Sequence, residues 1–357
     1  MQKRILINGE AWCHNLTGIE RVAIDTVSAL DGIAEPGFLE LVLPRNARSV
    51  PSYRNIAVTV LGVDATFFPR WTNGAFQRHV LARRGTSLSF SNTCPYATPG
   101  IAYLHDIYAR LHPEDYTSRR DRLIRLYSNA MYRRIAKSAK AVVAVSEYTK
   151  RTIVEAYHVP EERVTVIPNG LSPSYRALPP DYGIFRKFPV LEEGPFYFCL
   201  GSLSVRKNLR WVADHAEMFP SERFVVSGKA LLNHVVPPEL EKLRTLGNVT
   251  MTGYVSDAEV KALMSRCRAF IHPSYFEGFG LPPLEALSCG APVVVADRTS
   301  LPEIYGGAAH YLDPDDPALD LDAVLAEPVE SPARLLETYT AENSARALYR
   351  LLRDTPA

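Results

Sequence analysis

The sequence predicts an α/β fold: two doubly wound domains, each built on a parallel sheet, facing each other across a central cleft. Three observations carry that reading. The chain has 357 residues, enough for two separate cores. Short β-branched runs alternate with longer segments of helical period through both halves. One Pro/Gly-rich stretch, 169–195, interrupts the alternation once. The 27 prolines and 20 glycines suit a loop-rich globular protein and are too few for a disordered one. Forty Lys+Arg against 39 Asp+Glu leave a net charge of +1, which offers nothing to nucleic acid.

In the first half, strands are expected at Arg4–Asn8, Leu39–Leu43, Ala57–Leu61, Leu88–Ser91, Ile101–His105, Ala141–Val145 and Val164–Pro168. Helices are expected near Ile19–Leu30, Ala75–Arg83, Thr117–Ser138 and Glu147–Tyr157. Thr17 followed by Glu20 reads as a capping box for the first of these. After the loop-like linker, strands follow at Phe196–Leu200, Phe224–Ser227, Val249–Thr252, Ala269–His272, Pro292–Ala296 and His310–Leu312. Ser256 and Glu259 form a second capping box, for a helix ending near Cys267. The domains are placed at 1–180 and 181–340. The amphipathic segment Ala341–Arg353 can close the second domain or cross back onto the first, and the pattern leaves both open.

Five scattered cysteines (Cys13, Cys94, Cys199, Cys267 and Cys289) show no metal-ligand spacing and predict buried thiols in a reducing compartment. No apolar run reaches about 18 residues and the N-terminus has no leader-like core, so a soluble cytoplasmic protein is expected.

Two stretches carry chemistry. Glu277, Gly278, Phe279, Gly280, Leu281, Pro282, Pro283, Leu284 and Glu285 follow an expected strand. The glycines let backbone approach a ligand, and the prolines suit a helix's first turn, which predicts an anion site with a carboxylate on each side. A solvated glutamate beside an ordinary capping turn is the alternative. The second stretch, Gly201 to Asn208, places Arg206 and Lys207 after a buried strand. Adjacent cations at a helix start oppose its dipole unless an anion sits there, and a fork beside a point charge suits a diphosphate.

These residues resemble the EX7E motif and the donor-phosphate motif of retaining GT-B glycosyltransferases, and the chain is similar to glycosyltransferase family 4. Thr17-Gly18-Ile19-Glu20-Arg21, Leu104-His105-Asp106, Val145 to Lys150, Val166 to Gly170 and Gly253 to Asp257 also look like that family. The resemblance implies two Rossmann-like domains, the first for acceptor and the second for a nucleotide-sugar donor. It implies that Arg206 and Lys207, with Ser204 on the same loop, meet the diphosphate, and that Glu285 holds the ribose. Glu277 would hold the transferred sugar, and Gly278, Phe279, Gly280 and Leu281 would offer backbone amides. Gly18 would approach the diphosphate from the opposite domain, Tyr254 and Val255 would line the base pocket, and His105 would touch the donor sugar. The family implies retaining transfer without cofactor or metal. Its mannosyl- and rhamnosyltransferases look most similar, which makes GDP-mannose the leading donor and a glycan or polyprenyl-diphosphate-linked surface polysaccharide the expected acceptor. A rhamnosyl- or glucosyltransferase using a dTDP-, UDP- or GDP-sugar, a nucleotide-sugar hydrolase or epimerase, and a non-enzymatic sugar-binding protein are the competing readings.

From Arg119 to Lys140 the chain carries eight Lys/Arg and one Asp, Asp121. At about 100° per residue, Arg119, Arg122, Arg125, Arg133, Lys137 and Lys140 share roughly a third of the wheel. Leu123, Tyr127, Ala130, Met131 and Ile135 are expected opposite. The face suits docking on the anionic inner surface of the plasma membrane, or is an ordinary solvated face. Phe90 to Pro95 can contact the acceptor or form a structural turn. Base, sugar, linkage and oligomeric state have no signature.

Overall fold

The computed structural model describes residues 4–14, 17–66, 70–228 and 239–356. They form two compact units: Met1–Pro113 with Arg122–Ser172 and Tyr339–Ala357, and Glu114–Asp121 with Pro173–Thr338.

The first unit is built on seven parallel strands, β1 (Ile5–Asn8), β2 (Leu39–Pro44), β3 (Ala57–Leu61), β4 (Thr86–Ser89), β5 (Ile101–Leu104), β6 (Ala141–Ala144) and β7 (Val164–Val166). Their spatial order is β3-β2-β1-β4-β5-β6-β7. Ile5 pairs with Leu39 on one side and with Thr86 on the other, so the order reverses between β1 and β4. Helices cover both faces of such sheets, which is why β1, β2, β5 and β6 are buried along their whole length. The Thr17 capping box opens the helix Gly18–Asp31, with the Thr17 N–H donating to Glu20 Oε2 at 3.2 Å.

That helix buries Val22, Ala23, Val27 and Leu30 against the last helix, Ala341–Asp354, which buries Ala345, Leu348 and Leu352. Phe38 meets Tyr349 edge to face at 5.7 Å, and Leu171 donates its N–H to the Tyr339 carbonyl at 2.9 Å. The final segment therefore returns to the first unit.

The second unit carries six parallel strands, β8 (Tyr197–Leu200), β9 (Phe224–Ser227), β10 (Val249–Gly253), β11 (Ala269–His272), β12 (Val293–Ala296) and β13 (His310–Leu312). Their order is β10-β9-β8-β11-β12-β13, reversing between β8 and β11. The Ser256 capping box is in place: Glu259 N–H donates to Ser256 Oγ at 3.3 Å and Ser256 N–H to Glu259 Oε2 at 2.8 Å.

Three expectations need correction. Strand β4 begins at Thr86, not Leu88, because its polar start is buried: the Ser87 hydroxyl donates to the Thr98 carbonyl at 2.5 Å. The linker is not all loop. Short helices Pro173–Ala177 and Gly183–Lys187 bury Tyr175, Ile184 and Phe185. On the basic helix, Arg119–Ser138, the apolar residues do not all face inward. Met131, Tyr132, Ile135 and Ala136 are buried, but Leu123 is 68% exposed and Leu126 is 60% exposed, alongside exposed Arg119, Arg122, Arg133 and Lys137. Arg125 is half-buried, and Lys140 lies beyond the helix, its ammonium bonded to Thr86 Oγ1 and the Pro356 carbonyl at 3.2 Å each. No helix among the described residues is long and apolar enough to cross a membrane.

Candidate functional site

Ligands of doubly wound sheets bind beyond the carboxyl ends of the strands, where the strand order reverses. In the second unit that place lies beyond β8 and β11, and both chemistry-bearing stretches meet there. After β8 the chain passes Gly201 and enters a tight helical turn, Val205–Lys207, which Ser204 precedes and Asn208 ends with φ +55°. Gly201 has φ +154°, and a Cβ there would lie 3.2 Å from Lys207 Cε, so the lysine stem runs over a position that only glycine leaves open. After β11, Pro273 to Phe276 lead to Glu277, which is 6% exposed.

Glu277 gathers three donors. Arg206 Nη1 donates to Oε2 at 2.8 Å, Lys207 Nζ to Oε1 at 2.5 Å, and His272 Nε2–H to the same Oε1 at 3.1 Å. Arg206 Nη1 also reaches the Phe276 carbonyl at 3.2 Å. The backbone of Glu277 is held as firmly: its N–H donates to Thr299 Oγ1 at 3.1 Å, and its carbonyl accepts from the Ser300 hydroxyl at 2.9 Å. Thr299 has φ +57°, a conformation disfavoured for a β-branched residue and retained here beside the site.

Burial alone would push the Glu277 carboxyl up, but Arg206, Lys207 and the His272 N–H override it and hold it well below the usual carboxylate range. Burial draws the Lys207 ammonium down, with Glu277 opposing. Burial, reinforced by Lys207, brings His272 down to about 4, so at neutral pH it is an uncharged imidazole donating from Nε2.

Gly280 precedes the helix Leu281–Ser288 with φ +86°, and a Cβ there would lie 2.6 Å from Leu301 Cδ2. Gly278, Phe279 and Gly280 are buried, and Leu281 and Glu285 are half-buried. Ser204 is buried, its hydroxyl 3.3 Å from that of Ser202. Beyond β10, Tyr254 is 79% exposed while Val255 is buried, so the two do not share one surface.

In the first unit, His105 follows β5 and is buried. Its Nε2–H donates to the Phe90 carbonyl at 2.6 Å and its backbone N–H to Asn92 Oδ1 at 2.7 Å, which leaves Nδ1 as the bare ring nitrogen. Burial lowers its pKa. Gly18 is exposed in the first turn of its helix. Among the described residues no three His, Cys, Asp or Glu gather as a metal site.

The sequence reading assigned Arg206 and Lys207 to a phosphate and Glu277 to a sugar as separate tasks, whereas the structure joins all three in one ion-pair cluster. His272 was missed. Its only sequence signal is a histidine closing a buried strand five residues before Glu277.

A family model of group 1 glycosyl transferases matches residues 183–354, and one of glycosyltransferase family 4 matches residues 54–175. The O-antigen chain mannosyltransferase B of Escherichia coli is 30% identical over 239 residues, 65% of this chain and 60% of that protein. A serotype-specific mannosyltransferase of Escherichia coli, WbdA, is 24% identical over 364 residues, 96% of this chain and 43% of that protein. The chain thus spans less than two thirds of either relative. Among solved structures, the sucrose-phosphate synthase of Thermosynechococcus elongatus superposes with a TM-score of 0.74 at 16% identity, covering 99% of this chain and 98% of the other.

Proposed function

The chain belongs to the group 1 and family 4 glycosyltransferases of the GT-B fold, and from that premise we propose that it moves a hexose or deoxyhexose from a nucleotide diphosphate sugar onto a growing surface glycan. The first-choice donor is GDP-mannose, because the relatives named above are O-antigen and serotype-specific mannosyltransferases. The observation that carries the reading is the cluster of Arg206, Lys207 and Glu277 at the strand-order reversal of the second sheet.

On this reading Arg206 and Lys207 take the negative charge that builds on the departing diphosphate. Glu277 turns toward the hydroxyls of the transferred sugar, and Glu285 holds the ribose. Transfer retains the anomeric configuration, the diphosphate helping to deprotonate the acceptor hydroxyl through an oxocarbenium-like transition state. On this reading the paired cations take the part a divalent ion would otherwise play, and activity is expected to persist in a chelator. His105 acts as a neutral imidazole against the donor sugar.

The acceptor is proposed to be lipid-linked and the enzyme peripheral on an anionic membrane. The support is the exposed face of Arg119–Ser138, where Leu123 and Leu126 stand among arginines, which is the composition of an interfacial helix.

The test is thermal stabilisation by GDP-, UDP-, dTDP- and ADP-sugars, followed by product analysis with octyl α-mannoside as acceptor. Stabilisation by a GDP-sugar and a mannosylated product support the reading. A product made from another sugar nucleotide reassigns the donor, and hydrolysis without transfer to any acceptor replaces the transferase with a hydrolase.

A further inference from the structure

A second polar cluster lies in the first unit, at the carboxyl end of β1, and the donor chemistry does not use it. Glu10, in the turn Gly9–Cys13, is 3% exposed. Its Oε2 accepts from Asn8 Nδ2 at 3.1 Å and from the Thr72 hydroxyl at 3.0 Å, and its Oε1 accepts from the Ser91 hydroxyl. Trp71 Nε1 donates to Asn8 Oδ1 at 2.7 Å, which turns the Asn8 amide so that its NH2 faces Glu10. Thr93 Oγ1 stands 3.4 Å from Ser91 Oγ; because Ser91 gives its proton to Glu10, Thr93 is the donor of that pair. A hydroxyl relay therefore runs from Thr93 through Ser91 to Glu10.

Two features set this cluster apart from a structural clamp. Among the described residues no Lys or Arg pairs with Glu10, and burial raises its carboxyl above the usual range, against the hydroxyl and amide donors and distant His14. A glutamine would tie Thr72 and Ser91 together without the cost of burying an acid. Its position is the second feature. Glu10 follows β1 and Ser91 follows β4, so they meet across the point where this sheet reverses its order, the place where doubly wound sheets take ligands.

A carboxylate offers about four acceptor sites. Among the described residues two donors reach Oε2 and one, the Ser91 hydroxyl, reaches Oε1, so the side of the carboxylate facing Ser91 has the greater spare acceptor capacity.

Resting on the transfer reading above, we propose that Glu10, with the Thr93–Ser91 relay, is a subsite that accepts a hydrogen bond from one hydroxyl of the acceptor sugar. The subsite selects acceptors by that hydroxyl. In Glu10→Gln the two donors at Oε2 hold the amide oxygen there and turn its NH2 toward Ser91, so the atom facing the ligand changes from acceptor to donor.

The experiment is steady-state transfer by wild type, Glu10→Gln and Ser91→Ala, using the stabilising sugar nucleotide, octyl α-mannoside and its four monodeoxy analogues. Glu10→Gln is expected to raise the acceptor KM about tenfold, as loss of a hydrogen bond to a charged group does. It should leave the donor KM within about twofold, and should erase the wild-type preference for the parent mannoside over one deoxy analogue. A folded variant with unchanged acceptor KM and deoxy pattern overturns the proposal, and so does one in which donor and acceptor KM rise together. Should Glu10→Gln not fold, Ser91→Ala is read by the same outcomes. A wild type that binds a sugar nucleotide but transfers to none of the mannosides overturns this subsite and leaves the donor assignment standing. One that binds no sugar nucleotide overturns the proposed function itself.

Discussion

Glu277→Gln tests two roles of one side chain, the ion pairing seen in the structure and the proposed contact with the transferred sugar. Glu277 is the counter-ion of Arg206 and Lys207, at 2.8 and 2.5 Å. Their side chains are 21% and 11% exposed and that of Glu277 is 8%, so solvent screens the cluster only in part. A diphosphate bound by the same cations would bring its charge to about 6 Å from the carboxylate, and at an effective dielectric constant near 20 that repulsion is about 3 kcal/mol. Removing the carboxylate charge should therefore tighten GDP binding, by about tenfold even if half of the repulsion is screened. The same substitution leaves two cations without their acid and should cost about 3 kcal/mol of unliganded stability. Both effects can be read from one sample set: denaturant unfolding without ligand, then titration calorimetry and thermal shift with GDP. The expected result is a less stable protein whose melting temperature rises more with GDP than that of wild type, while its turnover falls for want of the sugar contact. A folded Glu277→Gln that binds GDP no more tightly than wild type would show that Arg206 and Lys207 are not the anion site.

Lys207→Ala should cut kcat/KM more than tenfold by removing a charge-assisted contact worth about 1.5–3 kcal/mol, and an unchanged rate would remove the lysine from the phosphate site. His272 falls from an ordinary 6.5 to about 4 in the folded chain, so between these values the unfolded chain binds a proton that the native chain does not. Its contribution is complete above pH 6.5 and fades on acidification toward 4, a loss of about 3 kcal/mol. Denaturation midpoints at pH 7 and 4.5 should differ less in His272→Gln than in wild type; parallel shifts would deny histidine that part. Replacing Arg119, Arg122 and Arg133 with Glu, or Leu123 and Leu126 with Ser, should lower sedimentation with anionic liposomes and spare nucleotide binding. Equal sedimentation would reduce the helix to a solvated face.

Most strands were legible because parallel sheets covered on both faces need continuous apolar runs, and Val142-Val143 or Val293-Val294-Val295 announce themselves that way. Strand β4 shows the limit of that signal. Thr86 and Ser87 read as loop, yet both are buried, their hydroxyls satisfied by Lys140 and by the Thr98 carbonyl. Gly100 explains the need for small side chains: its backbone sits so close that a Cβ would fall 2.2 Å from the Ser87 carbonyl. The linker helices were hidden because five residues cannot show a helical period. Leu123 was misplaced because a wheel sorts residues by angle and cannot tell where a neighbouring element stops covering the helix.

The site was legible as positions and not as pairings. Arg206 and Lys207 were read as cations needing an external anion, since like charges before a helix are unfavourable there. Glu277, 70 residues on, is that anion, so the helix-dipole argument is met from within the chain and no longer requires a ligand. What still points to a ligand is place: a buried ion-pair cluster is a weak source of stability, and this one stands at the reversal of the sheet. Glu10 stands at the corresponding reversal of the other sheet, but without a motif around it. A lone acid among polar neighbours resembles any surface turn, and only folding, by bringing Thr72 and Ser91 onto it from 62 and 81 residues away, makes it an unusual group. Both sheets thus place a buried carboxylate at their switch points, one balanced by cations and one by hydroxyls. On the proposed reading, that contrast matches the division of labour between a site that meets a charged diphosphate and one that meets a neutral sugar.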